Sequence, residues 1–302
     1  MPKTLISIIG PTAIGKTSLG IELAQKFNTD IISVDSRQFY QNMDIGTAKP
    51  SPEELKKIPH HFIDMLSVEE NYSAGQFEKD ALKTIEALFL KKDVLIAVGG
   101  SGLYIKALWE GLDEFPEIPV EIRKELNEQL ENEGLLFLQN KLKTLDPEFY
   151  KSGEIQNPQR VIRALEVCLH SNKAFSEFKN QKRANRSFDI LKIGLEMERK
   201  NLYERINQRV DQMLEAGLEK EAKAFYPLKK LNALQTVGYQ EFFDYFDSKI
   251  TKEKAVELIK RNTRRYAKRQ LTWFRNQEAI HWFHPAEKKQ IFAFVSEKLD
   301  EF

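Results

Sequence analysis

Short apolar runs of strand length punctuate the chain at Leu5–Ile9, within Asp30–Asp35, within Asp93–Val98 and at residues 188–195. A run not broken by alternating polar positions marks a strand buried on both faces, as in a parallel sheet covered by helices. Between the first runs the apolar positions recur at helical spacing, at Leu19, Ile21, Leu23 and Ala24 and again through Ser73–Leu90. Strands alternating with helices predict a parallel α/β sheet, whose ligands gather beyond the carboxyl ends of the strands. After Gly111 the pattern changes. The stretch Glu114 to Pro119 is acidic and proline-bearing, and from there to about Asn185 only helical spacing persists. Leu126, Leu130, Leu135, Leu138 and Leu142 predict amphipathic helices packed on one another. The chain then returns to the sheet at 188–195, and two long helical patterns close its C-terminal part.

With 302 residues, two structural units are expected: a core of residues 1–112 and 188–302, and a helical insertion of residues 113–187. Charged residues at 30% and hydrophobic ones at 41% are ordinary for a folded chain. A net charge of +1 excludes a general polycation, so an anionic polymer would have to meet unevenly placed charge. The single cysteine, Cys168, excludes an internal disulfide and fits a reducing cytoplasm, which is the expected location. Leu165, Val167 and Leu169 around it predict a buried, inert thiol. No apolar run has membrane-spanning length, and no signal peptide is expected before the first strand. His60, His61, His281 and His284 lack a metal-ligand partner set and read as surface or loop residues.

Chemistry collects where the apolar runs end. Gly10-Pro11-Thr12-Ala13-Ile14-Gly15-Lys16-Thr17 fits the phosphate-loop pattern G-x-x-x-x-G-K-[ST], between a strand and an amphipathic helix. Such a loop aims backbone N–H groups at a multiply charged anion. Lys16 adds a mobile cation, and the Thr17 hydroxyl is a candidate ligand for Mg²⁺. The fold class expected is therefore α/β, a P-loop parallel-sheet core with a helical insertion domain. Asp35 ends the second run, where its carboxylate could accept a proton from a bound nucleophile, hold Mg²⁺ through water, or shape a turn. Gly99-Gly100-Ser101-Gly102 follows the third run. Nucleotide triphosphatases often carry a Mg²⁺-organising acid at that place; glycines stand here instead, with Asp64 as a possible substitute. From Ile259 to Arg275 there are seven basic residues and no acidic ones. Lys260, Arg264 and Lys268 form one row and Arg261, Arg265 and Arg269 another, with Ile259, Tyr266 and Trp273 expected to face the core. Two uncompensated rows favour an anionic partner such as a phosphodiester backbone. Arg160, Arg163, Lys173, Lys179, Lys182, Arg183 and Arg186 form a second basic set.

Asp35-Ser36-Arg37-Gln38-Phe39-Tyr40 and Met43-Asp44-Ile45-Gly46-Thr47-Ala48-Lys49-Pro50 resemble the signature of the tRNA dimethylallyltransferase family. So do Gly99–Tyr104, Gln159-Arg160 with Arg163-Ala164-Leu165-Glu166-Val167, Arg205-Ile206 with Arg209-Val210-Asp211, Thr236-Val237-Gly238-Tyr239 and Arg264–Gln270 with Trp273-Phe274-Arg275. The match runs in order from residue 5 to about 284. It implies transfer of a dimethylallyl group from dimethylallyl diphosphate to the exocyclic amine of the adenosine 3′ of the anticodon. The phosphate loop would then hold an isoprenoid diphosphate, and no attacking water would need organising. The resemblance makes Asp35 the acceptor of the amine proton, acting late because a carboxylate is a weak base. It makes Lys16, Thr17 with Mg²⁺, Ser101 and Arg209 the stabilisers of the leaving diphosphate. It places tRNA on Asp35, Ser36, Arg37, Gln38, Ser101, Arg123 and on Gln159, Arg160, Val161, Ile162 and Arg163, with the target base drawn from its stack. The chain departs from the family in carrying Ser101 for threonine, Ile14 for a small residue, and a short Ile155–Pro158 segment. No zinc-finger tail follows, so the likeness is to bacterial-type members; a monomer is expected. The rival readings are an isopentenyltransferase acting on free adenylate, a small-molecule or nucleoside kinase, and a nucleotide-gated RNA-binding protein.

Overall fold

The computed structural model describes residues 2–179 and 184–301, so Lys182 and Arg183 lie outside the described residues. The chain begins with β1 (Thr4–Ile9), α1 (Lys16–Lys26), β2 (Ile31–Val34), α2 (Pro52–Lys57), β3 (His60–His61), α3 (Ala74–Phe89), β4 (Val94–Gly99) and α4 (Gly102–Glu110). Helices α5 (Val120–Glu133), α6 (Leu135–Leu145), α7 (Pro147–Lys151) and α8 (Pro158–Ser171) follow. Then come β5 (Asp189–Leu195), α9 (Arg199–Glu215), α10 (Leu218–Phe225), α11 (Gln240–Phe246), α12 (Lys252–Arg275), β6 (Ile280–Phe283) and α13 (Lys288–Glu301). Two compact units result, Met1–Glu110 with Asn185–Phe302, and Gly111–Ala184.

Among the described residues the strands make one parallel sheet in the order β3-β2-β4-β1-β5-β6. Alternate residues of β1 serve opposite layers. Leu5 and Ile9 join the layer of Val34, Leu95 and Phe77, whereas Ile6 and Ile8 join that of Ile96, Leu191 and Ile193. Both faces are covered, which is why the runs are apolar throughout. The polar exception, Ser7, is buried but accepts a hydrogen bond from Trp109 Nε1 at 3.0 Å.

Register sets up the site. Gly99 pairs with Ile9 on one side and with Val34 on the other. The next residues, Gly10, Asp35 and Gly100, therefore leave three neighbouring strands at one level. A side chain at Gly99 would put its Cβ 2.1 Å from the Val34 carbonyl oxygen, so only glycine permits this spacing.

Two edge strands refine the reading of the histidines as surface or loop residues, which holds for the exposed His281 and His284 but not for the half-buried strand pair His60 and His61. His60 and His61 constitute β3, and His281 lies in β6. His61 Nε2 sits 2.9 Å from Asp30 Oδ2, and the His281 ring packs on Phe294. Short, half-buried edges carry too little alternation to stand out in a sequence.

In the second unit, Leu126, Leu138, Leu142, Val161, Ile162, Leu165 and Cys168 form the core, with Leu130 and Leu135 partly buried against it. Burial pushes the Cys168 thiol up and keeps it protonated, so it is inert. No described helix is long and apolar enough to cross a membrane.

Candidate active site

The phosphate loop is built for an anion before any ligand is considered. Gly15, in the left-handed region at φ 108°, turns the chain into α1, and Ala13 is left-handed too, at φ 64°. No side chain caps α1, so its first-turn N–H groups and the positive end of its dipole face the loop. The side chain of Ile14 is fully buried in the core, and this residue contributes backbone alone to the loop surface. Lys16 Nζ donates to the Pro11 carbonyl at 2.8 Å.

Helix α9 brings two arginines to the same loop. Arg209 donates to Thr12 Oγ1 at 3.3 Å, and Arg205, one turn earlier, donates to the Ala13 carbonyl at 3.0 Å. Burial pushes Lys16 down to about 7; the Arg209 charge adds to this, and Asp35 opposes it. Burial lowers the Arg209 guanidinium as well, with Asp35 again opposing and Arg205 assisting. An anion held between these cations would offset the cost of crowding and desolvating them.

The two neighbouring loops are tied together. Asp35 Oδ1 accepts from Arg37 N at 3.0 Å, an Asx turn that fixes the carboxylate at the end of β2. Ser101 is buried; its Oγ accepts from Ser36 N at 3.0 Å and donates to Ser36 Oγ at 3.1 Å. Tyr266 of α12 reaches the same place. Burial, with the Asp35 charge, pushes its hydroxyl up to about 12, against the pull of a hydrogen bond to Ser101. The residue as a whole is 36% exposed. Tyr266 thus does not join the core as expected, whereas Ile259 is buried and Trp273 covers Gly102.

Thr12, Asp35, Ser36, Arg37 and Arg209 border a cavity of about 380 Å³. Its other wall is apolar, made by Ile206, Val210, Met213, Leu218, Val237 and Ile259. Ile206, Val210 and Met213 flank Arg209 on the same helix, so the apolar wall runs directly alongside the cation. A second cavity, of about 460 Å³ near Asn28, Lys92 and Leu299, lies at the opposite rim of the sheet, away from these residues.

Arg37 and Gln38 shape the cavity rather than standing free. Arg37 donates to the Asn232 carbonyl at 2.9 Å and to that of Gln235 at 3.5 Å. Gln38 donates to the Thr47 and Ala48 carbonyls, each at 3.2 Å. The loop they reach is also held by Glu221, whose carboxylate accepts from Asp44 N, Ile45 N and Gly46 N at 3.0, 2.8 and 2.8 Å and from the Tyr239 hydroxyl at 2.6 Å. Glu221 carries no sequence signal beyond one more charge on a helix. Asp64 does not substitute for a triphosphatase acid, because it pairs with Lys49 outside the cavity.

The basic rows of α12 are unequal. Lys260 pairs with Asp211 at 2.5 Å, and Arg264 donates to the neutral amide oxygen of Asn207 at 2.6 Å, so α9 neutralises one cation of the first row and orders a second. Among the described residues Arg265, Lys268 and Arg269 form no ion pair, and Arg261 Nε is buried without a partner. In the second unit Arg123 donates to Glu166 at 3.0 Å and to Gln159 at 2.8 Å, and Arg163 donates to the other Glu166 oxygen at 3.3 Å. Arg160 pairs with Glu154 at 2.8 Å. Val161 and Ile162 are fully buried in that unit's core, which corrects any expectation that their side chains touch RNA. Arg186 is corrected likewise: it is buried against Glu78 and the Leu108 carbonyl.

The family model for IPP transferase matches residues 38–277. The chain is 54% identical to a tRNA dimethylallyltransferase of Christiangramia forsetii, over 99% of this chain and all of the relative. It is 52% identical to one of Flavobacterium johnsoniae, over 98% of each. A tRNA isopentenylpyrophosphate transferase from Bacillus halodurans superposes with a TM-score of 0.74 at 38% identity, covering 99% of this chain and 97% of that one. A eukaryotic dimethylallyltransferase solved acting on tRNA gives 0.81 at 27% identity, covering 99% of this chain and 80% of that one.

Proposed function

We infer the activity from the fact that this chain belongs to the IPP transferase family: it transfers a dimethylallyl group from dimethylallyl diphosphate to tRNA, at the exocyclic amine of the adenosine 3′ of the anticodon. The observation that carries this reading is one cavity bordered by Thr12 of the phosphate loop, Arg209 and Asp35 on one side and by an apolar wall on the other, with the Lys16 charge felt by Asp35 and Arg209 from within the loop. A C5 chain fits that wall, and the diphosphate fits the cations. The amine nitrogen bonds to the allylic carbon as the carbon–oxygen bond to diphosphate breaks. Asp35 takes the proton that the alkylated amine releases, and the diphosphate leaves with the electron pair of the broken bond. Lys16, Arg209, Ser101 and the loop N–H groups hold the charge that develops there.

Thr17, in the first turn of α1, would hold Mg²⁺ through its hydroxyl, and the ion would supply neutralisation of leaving-group charge. No described cluster of three His, Cys, Asp or Glu could form a protein cage, and Mg²⁺ bound mainly by phosphates and water needs none. Arg265, Lys268 and Arg269 on α12, and Arg123, Gln159, Arg160 and Arg163 in the second unit, are assigned to tRNA. Val161 and Ile162 serve by fixing helix α8.

The test is incubation of unmodified tRNA, Mg²⁺ and dimethylallyl diphosphate with the protein, followed by nucleoside mass analysis. Isopentenyladenosine confined to the anticodon loop is expected. Product with AMP but not tRNA would move the chain to the adenylate-modifying class, and phosphoryl transfer from ATP would make it a kinase. The double variant R265A/K268A is expected to weaken tRNA binding whatever the sequence, and to lower the slope of log affinity against log salt by about 2. An unchanged slope in a filter-binding titration would remove this face from the interface.

A further inference from the structure

Gln270 joins the two loops that carry the chemistry, although it lies on neither. It projects from α12, 7% exposed, and spends both ends of its amide. Its Oε1 accepts from Thr12 N at 2.9 Å, inside the phosphate loop. Its Nε2 donates to the Gly100 carbonyl at 2.9 Å, in the loop that presents Ser101. The contact is close enough that a Cβ on Gly100 would lie 2.4 Å from Nε2. Thr12 also receives Arg209 on its side chain, so one residue links the strut, the loop and a leaving-group cation. The neighbouring turns of α12 bring Tyr266 and Arg269 to the same cavity, so the strut also fixes the depth of this helix.

We propose that Gln270 is a positioning residue that sets the spacing between the phosphate loop and the Ser101 loop, and thereby the geometry in which the leaving diphosphate is held. The inference rests on the reading that this cavity holds the diphosphate. An amide suits the task because the two loops present opposite demands, a donor at Thr12 and an acceptor at Gly100, about one amide width apart. A glutamate of the same shape satisfies the first and repels the second. Leucine fills the volume and satisfies neither.

The experiment compares the unsubstituted chain with Q270E and Q270L, using pyrophosphate binding by calorimetry, steady-state kinetics and tRNA binding. Q270L is expected to weaken pyrophosphate about tenfold, with a buried N–H and C=O left unpaired. Q270E is expected to lose more, about a hundredfold, since it also places a negative charge beside the anion. Both should raise KM for the isoprenoid diphosphate and lower kcat, with tRNA affinity unchanged. As pH falls from about 8 to about 5, the Q270E defect relative to the unsubstituted chain should shrink, because a protonated carboxyl regains the donor that Gly100 requires. A residue that merely filled space would show no such recovery. Q270E binding pyrophosphate within about twofold of the unsubstituted chain, or failure of the unsubstituted chain to bind it, would overturn the proposal. If the binding pattern holds but no dimethylallyl transfer is found, the strut stands and the assigned activity fails. Should Q270L not fold, the isosteric Q270E alone decides.

Discussion

D35A is expected to reduce dimethylallyl transfer by about 10²–10⁴-fold while leaving tRNA affinity close to that of the unsubstituted chain. The loss should fall on kcat, since the proton leaves the amine only as the new bond forms. Asp35 has a second task, accepting the Arg37 N–H at 3.0 Å. Alanine removes both functions, so D35N is the sharper variant. Its amide oxygen can still accept from Arg37, which in turn keeps hold of the Asn232 and Gln235 carbonyls at the cavity wall. If proton acceptance is what matters, D35N and D35A should be impaired alike in single-turnover assays at saturating substrates. If the turn matters, D35N should recover most of the rate. Normal turnover by both would remove Asp35 from the reaction. A charge effect accompanies either change: Asp35 supports the protonated form of Lys16 and the charge on Arg209, so its loss weakens the cationic end of the cavity too.

The elements that could be read from the sequence are those whose logic is local. The phosphate loop is eight consecutive residues between a strand and a helix, and Asp35 and Ser101 follow directly on apolar runs, so position along the chain sufficed. The register that puts Gly99 level with both Ile9 and Val34 brings them together, and parallel pairing makes that arrangement natural. Glu221 and Gln270 were not legible as site residues, because their partners are remote in sequence: Gln270 bonds Thr12 across 258 positions and Gly100 across 170. A single glutamine on a basic helix has no pattern that announces two buried amide bonds. The basic rows of α12 misled in part for the same reason, since Asp211 and Asn207 that answer Lys260 and Arg264 come from another helix. Within Gln159–Arg163 the family motif is contiguous, but a helix turns its members to different sides. Val161 and Ile162 consequently fall in the core while Arg160 and Arg163 remain partly exposed.

K16M is expected to lower transfer by about 10²–10³-fold, the range seen when one preorganised charge-stabilising group is removed from a developing anion. The same residue makes diphosphate binding depend on pH, with a sign that follows from its environment. Without an anion, burial and Arg209 hold the Lys16 ammonium at about 7, so at about pH 8 only about a tenth is charged. A bound diphosphate favours the charged form and raises that value. Binding at about pH 8 should therefore take up close to one proton, because the last ionisation of a phosphate ester near about 6 is already complete there. Affinity should be highest below about pH 7 and fall as pH rises beyond it, by at most about tenfold per unit, until the bound-state value is reached. Calorimetry of dimethylallyl diphosphate binding in two buffers of different ionisation enthalpy measures the uptake directly. Heats that do not depend on the buffer would mean that Lys16 is already charged in the free protein. K16M should abolish both the proton uptake and the decline in affinity, which separates Lys16 from Arg209: the guanidinium, although also lowered by burial, stays charged throughout this range.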